Sequence, residues 1–368
     1  MNTPINNNRL LSLDVMRGLI MILLAAESCL LYQSLYKLEP GGLSLQFVNQ
    51  FFHHPWHGLR FWDLVQPAFM MMAGSAMYLS YHSKTKKGIS WKENLKHIAV
   101  RSLKLLLFGV GLHCVYAGEL VWELWNVLTQ LAVTTMIAYL IIRKSYFFQI
   151  GFSVLLLIIT ECLYRYVSVP SFDQPFVEHH NFGAYADLLL MGKINSDGWV
   201  AINFIPTAAH TIWGVLAGKV LITSVRSSKK IFILIISGML LLGAGLLMDI
   251  SGLTPIIKRI STSSFVLVSG GWVLLILAFL YWLVDIQKLN KYAWVFVVIG
   301  MNAIFIYLFF ETVGIQWLNG VVHIFIKGLA SVLHISASAT DVYASLVTLL
   351  LEWYLCFWLY QKKIFFKL

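Results

Sequence analysis

Charge is scarce in this chain. Only 12% of its 368 residues are Asp, Glu, Lys or Arg, and 59% are hydrophobic. An ordinary soluble domain carries roughly 25% charged residues. Apolar runs of 18 or more residues recur instead, each enough to cross about 30 Å of hydrocarbon. The runs are continuous and do not alternate, which argues against a β-barrel. Other signatures are missing too. The four cysteines lie in or beside apolar segments and none has CxxC spacing, so neither a zinc site nor a disulfide framework is expected. No GxSxG occurs, which removes support for serine-nucleophile chemistry, and no HExxH occurs. His53 and His57 are four apart, but Pro55 between them disfavours a regular helical pair, so no metal is expected. The opening MNTPINNNRLLSLD has no cleavable-signal pattern, so the first apolar segment is expected to remain as a helix. There is no internal repeat, no low-complexity tract and no stretch long enough for a soluble domain. One transmembrane domain over 1–368 is expected.

What charge there is leans basic: 27 Lys and Arg against 17 Asp and Glu, a net +10. In a soluble protein this would raise nucleic acid as a partner. Here the basic residues gather in short loops, and the positive-inside rule accounts for them without nucleic acid. The expected surroundings are a lipid bilayer.

The fold class is an all-α polytopic membrane bundle. Ten spans are expected, at 12–32, 62–82, 99–117, 121–142, 146–165, 199–224, 230–248, 263–284, 293–313 and 342–361. The apolar stretch 318–338 is an interfacial or re-entrant piece, or else an eleventh span. Ten spans put KTKKGISWKENLK (84–96), the RK at 143–144, RSSKK (226–230), the C-terminal KKIFFK and Arg9 on one side, the cytoplasmic one. Both termini are then cytoplasmic, and the membrane is read as a bacterial plasma membrane. Two long loops, 33–61 and 166–198, face the other side. Lys258 and Arg259 run against the rule.

Ionisable groups in or at the ends of spans cost about 2.5–3.5 kcal/mol each on insertion scales, so they mark sites or structural pairs. Asp14 and Arg17 are three apart and share a helix face. They are either a structural ion pair or a cation, held by Asp14, that meets an anionic ligand. Glu27 and Glu311 fall near the outer ends of spans. Asp63 follows a clump of histidines, HHPWHGLRFWD (53–63). A carboxylate on one ring nitrogen fixes the tautomer and leaves the other nitrogen as a base, the kind of base acyl transfer needs. It could equally cap the helix that follows.

At this point the motifs resemble those of the heparan-α-glucosaminide N-acetyltransferase family, within a wider group of transmembrane acyltransferases. The opening Ser12, Leu13, Asp14, Arg17 and Gly18 is similar to that family's first helix. His53, Trp56, Gly58, Asp63 and Pro67 match its loop and second helix. NVLTQLAVTTMIAY (126–139), NFIPTAAHTIWGVLAGKVL (203–221), PIIKRISTSSFVL (255–267) and GMNAIFIY (300–307) resemble later landmarks in order. Departures occur at Glu27–Ser28, Gln66, Leu131, His210 and Ser261.

The resemblance implies acetyl-CoA as co-substrate, an amino sugar of the glucosamine type as acceptor, His53 as the catalytic residue, and a homodimer. Asp63 becomes its orienter. Arg17, Asp14, Lys258 and Asn302 are expected toward the acetyl donor, Asn302 also as an oxyanion donor. Trp56, His57, Glu27 and Glu311 are expected toward the acceptor. His53 acts as general base or carries the acetyl group itself. The competing readings are an amino-sugar transporter and an O-acetyltransferase of an envelope glycan.

Overall fold

The computed structural model describes residues 10–366. Arg9 and the last two residues, and with them part of the expected cytoplasmic charge, lie outside the described residues. Those described are helix and loop, with one isolated antiparallel bridge between His57 and Ile257. They form two compact units. One contains the chain up to Phe52 and from Leu277 onward; the other is His53–Ile276.

The first unit opens with α1 (Leu11–Ser28), α2 (Leu31–Tyr36) and α3 (Gly42–Asn49). The second holds α4 (Val65–Lys86), α5 (Trp91–Ala117), α6 (Val127–Leu140), α7 (Tyr146–Tyr166), α8 (Phe182–Met191), α9 (Phe204–Ile222) and α10 (Ser227–Ile250). Helix α11 (Ser263–Leu280) begins there and runs on into the first unit, which α12 (Ala293–Met301), α13 (Ala303–Phe309), α14 (Asn319–Val332) and α15 (Ala337–Gln361) complete.

Seven helical stretches among the described residues are long and apolar enough to cross a membrane: 91–117, 146–166, 201–222, 227–250, 263–286, 303–332 and 337–361. The protein is an integral membrane helical bundle. Three more of the expected spans fall on α1, α4 and α6. The first two carry more polar sequence, and α6 is only 14 residues long. The boundaries at 293–313 and 318–338 come out differently. The chain breaks at Asn302, between α12 and α13. It then runs without interruption from Ala303 to Val332 through a π-helical stretch, Phe310–Leu318. The expected long loops also carry structure, in α2, α3 and α8.

Within the second unit, α9 is central: 78% of the most apolar part of 201–222 is buried, against 17% for 227–250. It packs on α4 through small residues. A Cβ on Gly74 would lie 2.0 Å from the Thr211 carbonyl oxygen, and one on Gly214 would lie 2.0 Å from that of Met71. The Ser75 hydroxyl donates to the Gly214 carbonyl at 2.8 Å. Such close backbone approach is how helices associate where hydrocarbon gives no hydrophobic drive.

Hydrogen bonds then sort the unit's ends. At one end, Lys219 donates to the Lys144 carbonyl, Lys230 to the Leu221 carbonyl and Tyr139 to the Trp91 carbonyl. The three basic connections of this unit therefore gather there. At the other end, His57 meets Asp249 and Trp125 donates to Asp187. That end carries the loop at 53–64, the segment 192–203 and the turn 251–262. The helix starts near it are built by polar caps. Asn126 accepts from Leu128 and Thr129 N–H, and Asn181 from Ala184 N–H.

Candidate active site

The loop from His53 to Asp63 folds around one carboxylate. Asp63 sits in a short 3₁₀ turn, Phe61–Leu64, just ahead of α4, and is fully buried. Its Oδ2 accepts from the backbone N–H of Arg60 at 2.8 Å and of His54 at 3.3 Å. Its Oδ1 lies 2.9 Å from His53 Nδ1. Capping and orienting are thus not alternatives here: one oxygen caps the turn and the other holds the imidazole. The loop is tied at further points. Arg60 Nη1 donates to the His53 carbonyl at 3.0 Å, and Gly58 N–H to the Ile256 carbonyl at 2.8 Å. Gly58 has φ +142°, and a Cβ there would lie 2.6 Å from the His54 ring, so glycine is required.

The turn to which this loop is tied supplies the next groups. Thr262 and Ser264 hydroxyls both donate to the Pro255 carbonyl at 2.7 Å. Ser261 is buried in a left-handed conformation at φ +46°. Its N–H donates to the Lys258 carbonyl at 2.9 Å. The hydroxyl-rich TSS sequence therefore pins a tight turn from which Lys258 projects. Lys258 is buried, and its Nζ lies 3.0 Å from His53 Nδ1 and 3.7 Å from Asp63 Oδ1.

Trp199 closes the cluster. Its ring meets the His53 ring edge-on at 5.3 Å, with Lys258 Nζ 5.4 Å and the Arg259 guanidinium 6.0 Å from its centre. Arg259 pairs with Glu178 at 3.1 Å and donates to the Asp197 carbonyl. Trp56 and Glu178 converge on Gly198, where a Cβ would lie within 2.9 Å of both. The Trp56 indole N–H donates to the Phe176 carbonyl at 2.8 Å.

Burial is the main reason the His53 imidazole is pushed well below its ordinary value, to about 4; the Lys258 charge adds to this, and the Asp63 hydrogen bond and charge oppose it. The ring is therefore neutral near pH 7. With Nδ1 engaged by Asp63, Nε2 is left to serve as a base. The side chain remains 33% exposed, so a reactant can reach it.

The other expected site residues fall as follows. Lys258 stands at His53. His57 turns away, with Nε2 2.7 Å from Asp249 Oδ1 and a largely exposed side chain. Asp14, Arg17, Glu27, Asn302 and Glu311 belong to the first unit. There Arg17 pairs with Asp14 at 3.4 Å and donates to the Gly300 carbonyl at 3.4 Å. Asn302 is fully buried and clamps the chain end: its Nδ2 donates to the Ile364 carbonyl and its Oδ1 accepts from Phe366 N–H, both at 3.0 Å. Glu311 is the second residue of the π-helical stretch. Among the described residues, no three His, Cys, Asp or Glu side chains converge as metal ligands would.

Trp199, Arg259 and Glu178 were not anticipated. For Arg259 a signal existed: the Lys258–Arg259 pair broke the basic-loop pattern. Trp199 was hidden at the start of an apolar run.

The family model described as heparan-alpha-glucosaminide N-acetyltransferase, catalytic, matches residues 9–248. The match covers well over half of the chain and includes the whole His53–Asp63 loop. The chain belongs to this family. Membership implies a transferase, here one embedded in a membrane. The matched segment stops short of Lys258 and Arg259, so the basic half of the cluster comes from the structure. No curated protein matches the chain in sequence.

Proposed function

We propose that the protein is an acetyl-CoA-dependent N-acetyltransferase that moves an acetyl group to the amine of a glucosamine-type sugar. The observation that carries this is the His53–Asp63 pair: a neutral imidazole with Nδ1 fixed on a buried carboxylate and Nε2 left as a base. In this reading the amine nitrogen attacks the thioester carbonyl carbon. The carbonyl π pair moves to oxygen as the C–N bond forms, and Nε2 takes a proton from the nitrogen. The oxygen pair then returns, the C–S bond breaks with its electrons going to sulfur, and the imidazolium hands its proton to the thiolate. A base so placed contributes about 10²- to 10⁴-fold. Trp56, which meets Glu178 at Gly198 beside Trp199 in the chain, supports a sugar acceptor, since an indole face packs on a pyranose ring.

The donor is taken from the cytoplasm, where the basic loops lie under the positive-inside rule, and the sugar is met on the opposite side of a bacterial plasma membrane. A homodimer belongs to the same reading. No metal takes part.

Purified protein given acetyl-CoA and glucosamine should release free CoA and form N-acetylglucosamine, with neither product formed when the amine is omitted. Glucosamine uptake into liposomes without acetyl-CoA, and no CoA release, would instead make the protein a transporter.

A further inference from the structure

Two contacts compete for one atom of the catalytic cluster. His53 Nδ1 lies 2.9 Å from Asp63 Oδ1 and 3.0 Å from Lys258 Nζ. In a neutral imidazole that nitrogen carries either a proton or a lone pair. With a proton it donates to Asp63, and the Lys258 ammonium faces it as a second donor. With a lone pair it accepts from Lys258, and the Asp63 bond is lost. Both contacts cannot be hydrogen bonds at once. The ammonium does have a second hold in the first case, because Asp63 Oδ1 is 3.7 Å away.

We propose that Lys258 is a positioning residue that controls the proton on His53: its ammonium tolerates the ring with one proton, on Nδ1 and shared with Asp63, and drives off a second. This deepens, and rests on, the acetyltransferase reading above. When Nε2 takes the amine proton, the ring becomes a cation whose Nδ1–H points at a buried ammonium about 3 Å away. Like charges at that range in a partly desolvated site repel strongly. The proton is therefore passed on to the departing thiolate and not retained on the ring. Proton and charge balance, since the ring ends as it began and the sulfur leaves as a thiol.

The turn is built for this. Lys258 is buried, its carbonyl is held by Ser261 N–H at 2.9 Å and by the Ser261 hydroxyl at 3.2 Å, and its Nζ rests over the Trp199 ring. The charged groups around His53 are Asp63, Lys258 and Arg259, with Arg60 bonded to its carbonyl and His54 beside it in the chain. Arg259 is committed to Glu178. Of these basic groups, Lys258 is the one whose contact is with the ring nitrogen itself.

The test measures the ionisation of His53 without using acetyl transfer. Diethylpyrocarbonate acylates imidazole only in its neutral form, and fragment-ion mass spectrometry of the peptide that carries His53, His54 and His57 assigns the adduct to the His53 ring among the 11 histidines. In the wild type the modification rate should fall to half near pH 4. In Lys258→Met, which keeps an unbranched aliphatic side chain without the charge, the midpoint should rise by about one unit or more. Lys258→Gln keeps a donor but no charge and should rise likewise; it serves if the Met variant does not fold. Lys258→Arg keeps the charge and should stay near the wild-type midpoint. The acid limb of CoA release should move with the modification midpoint. Wild-type midpoints in both uncharged variants, or an equal rise in Lys258→Arg, would overturn the proposal. Shifted midpoints in a protein that never transfers acetyl would uphold the control of His53 by Lys258 and reject the acetyltransferase reading.

Discussion

Replacing Asp63 by asparagine should separate the folding and chemical roles of one buried carboxylate. The carboxylate meets His53 Nδ1 at 2.9 Å, Lys258 Nζ at 3.7 Å, and the N–H groups of Arg60 and His54 at 2.8 and 3.3 Å. Asparagine keeps one acceptor oxygen. It can cap the turn or hold the ring, not both, and it carries no charge. The lost cap costs about 0.5–2 kcal/mol. Lys258 loses more, because the buried Asp63 charge beside it is gone; breaking a buried pair costs about 3–5 kcal/mol. At roughly 2–4 °C per kcal/mol for a unit of this size, the melting temperature should fall by about 6 °C or more. Removing both charges, in Asp63→Asn with Lys258→Met, should recover part of that loss. The double variant should be more stable than the sum of the singles predicts, by about 0.5–3 kcal/mol. Acetyl transfer should fall about 10²- to 10⁴-fold in Asp63→Asn and stay low in the double variant. Thermal unfolding followed by tryptophan fluorescence in detergent gives the first quantity, and thiol release from acetyl-CoA gives the second. Strict additivity of the two stability changes would refute the claim that Asp63 and Lys258 act as a charge pair. Unimpaired transfer in Asp63→Asn would refute its role as orienter.

Other outcomes follow from the same geometry. Between pH 6.5, the ordinary imidazole value, and about 4, unfolded chains bind a proton at His53 that the native ring does not. Wild-type stability should therefore drop as pH falls through that window, and a melting series on His53→Gln should show a shallower drop. Gly214→Leu should prevent α4 and α9 from packing, since even a Cβ meets the Met71 carbonyl oxygen at 2.0 Å; overpacking costs about 1–3 kcal/mol or more, read as loss of the folded fraction on size exclusion. Asn302→Ala should cost about 1–3 kcal/mol through the freed groups of the chain end. As an oxyanion donor it would instead lower kcat by about 10²- to 10³-fold with little change in melting. Chelators should leave the rate of CoA release unchanged.

Much of the fold could be read from hydropathy, because a span must be long, apolar and helical to satisfy its own backbone. The breaks could not. The interruption at Asn302 answers to hydrogen bonds with residues 364–366, more than sixty positions away. The π-helical stretch 310–318 lies inside a mostly apolar run with no proline to mark it. The site divides in the same way. His53 and Asp63 are ten apart, within reach of local reasoning, and the loop between them has a proline and a glycine to shape it. Lys258 is 205 positions from His53, and nothing local ties the two. The family resemblance of PIIKRISTSSFVL (255–267) marked it toward the acetyl donor, and the Lys–Arg pair stood on the wrong side of the basic-loop pattern, but neither placed it at the His53 ring. Trp199 left less, since an aromatic at a span boundary reads as an interfacial anchor. Residues 33–61 and 166–198 read as loops because short helices such as α2, α3 and α8 fall below the length at which periodicity is informative.

The proposed acetyl transfer depends above all on His53 handling the amine proton. The most direct measurement is single-turnover transfer of radiolabelled acetyl from acetyl-CoA to glucosamine by wild type and His53→Ala, both verified as folded by melting. Label should appear on the sugar with the wild type and fall by about 10²-fold or more with the variant. Equal transfer by the two proteins would contradict that role for His53.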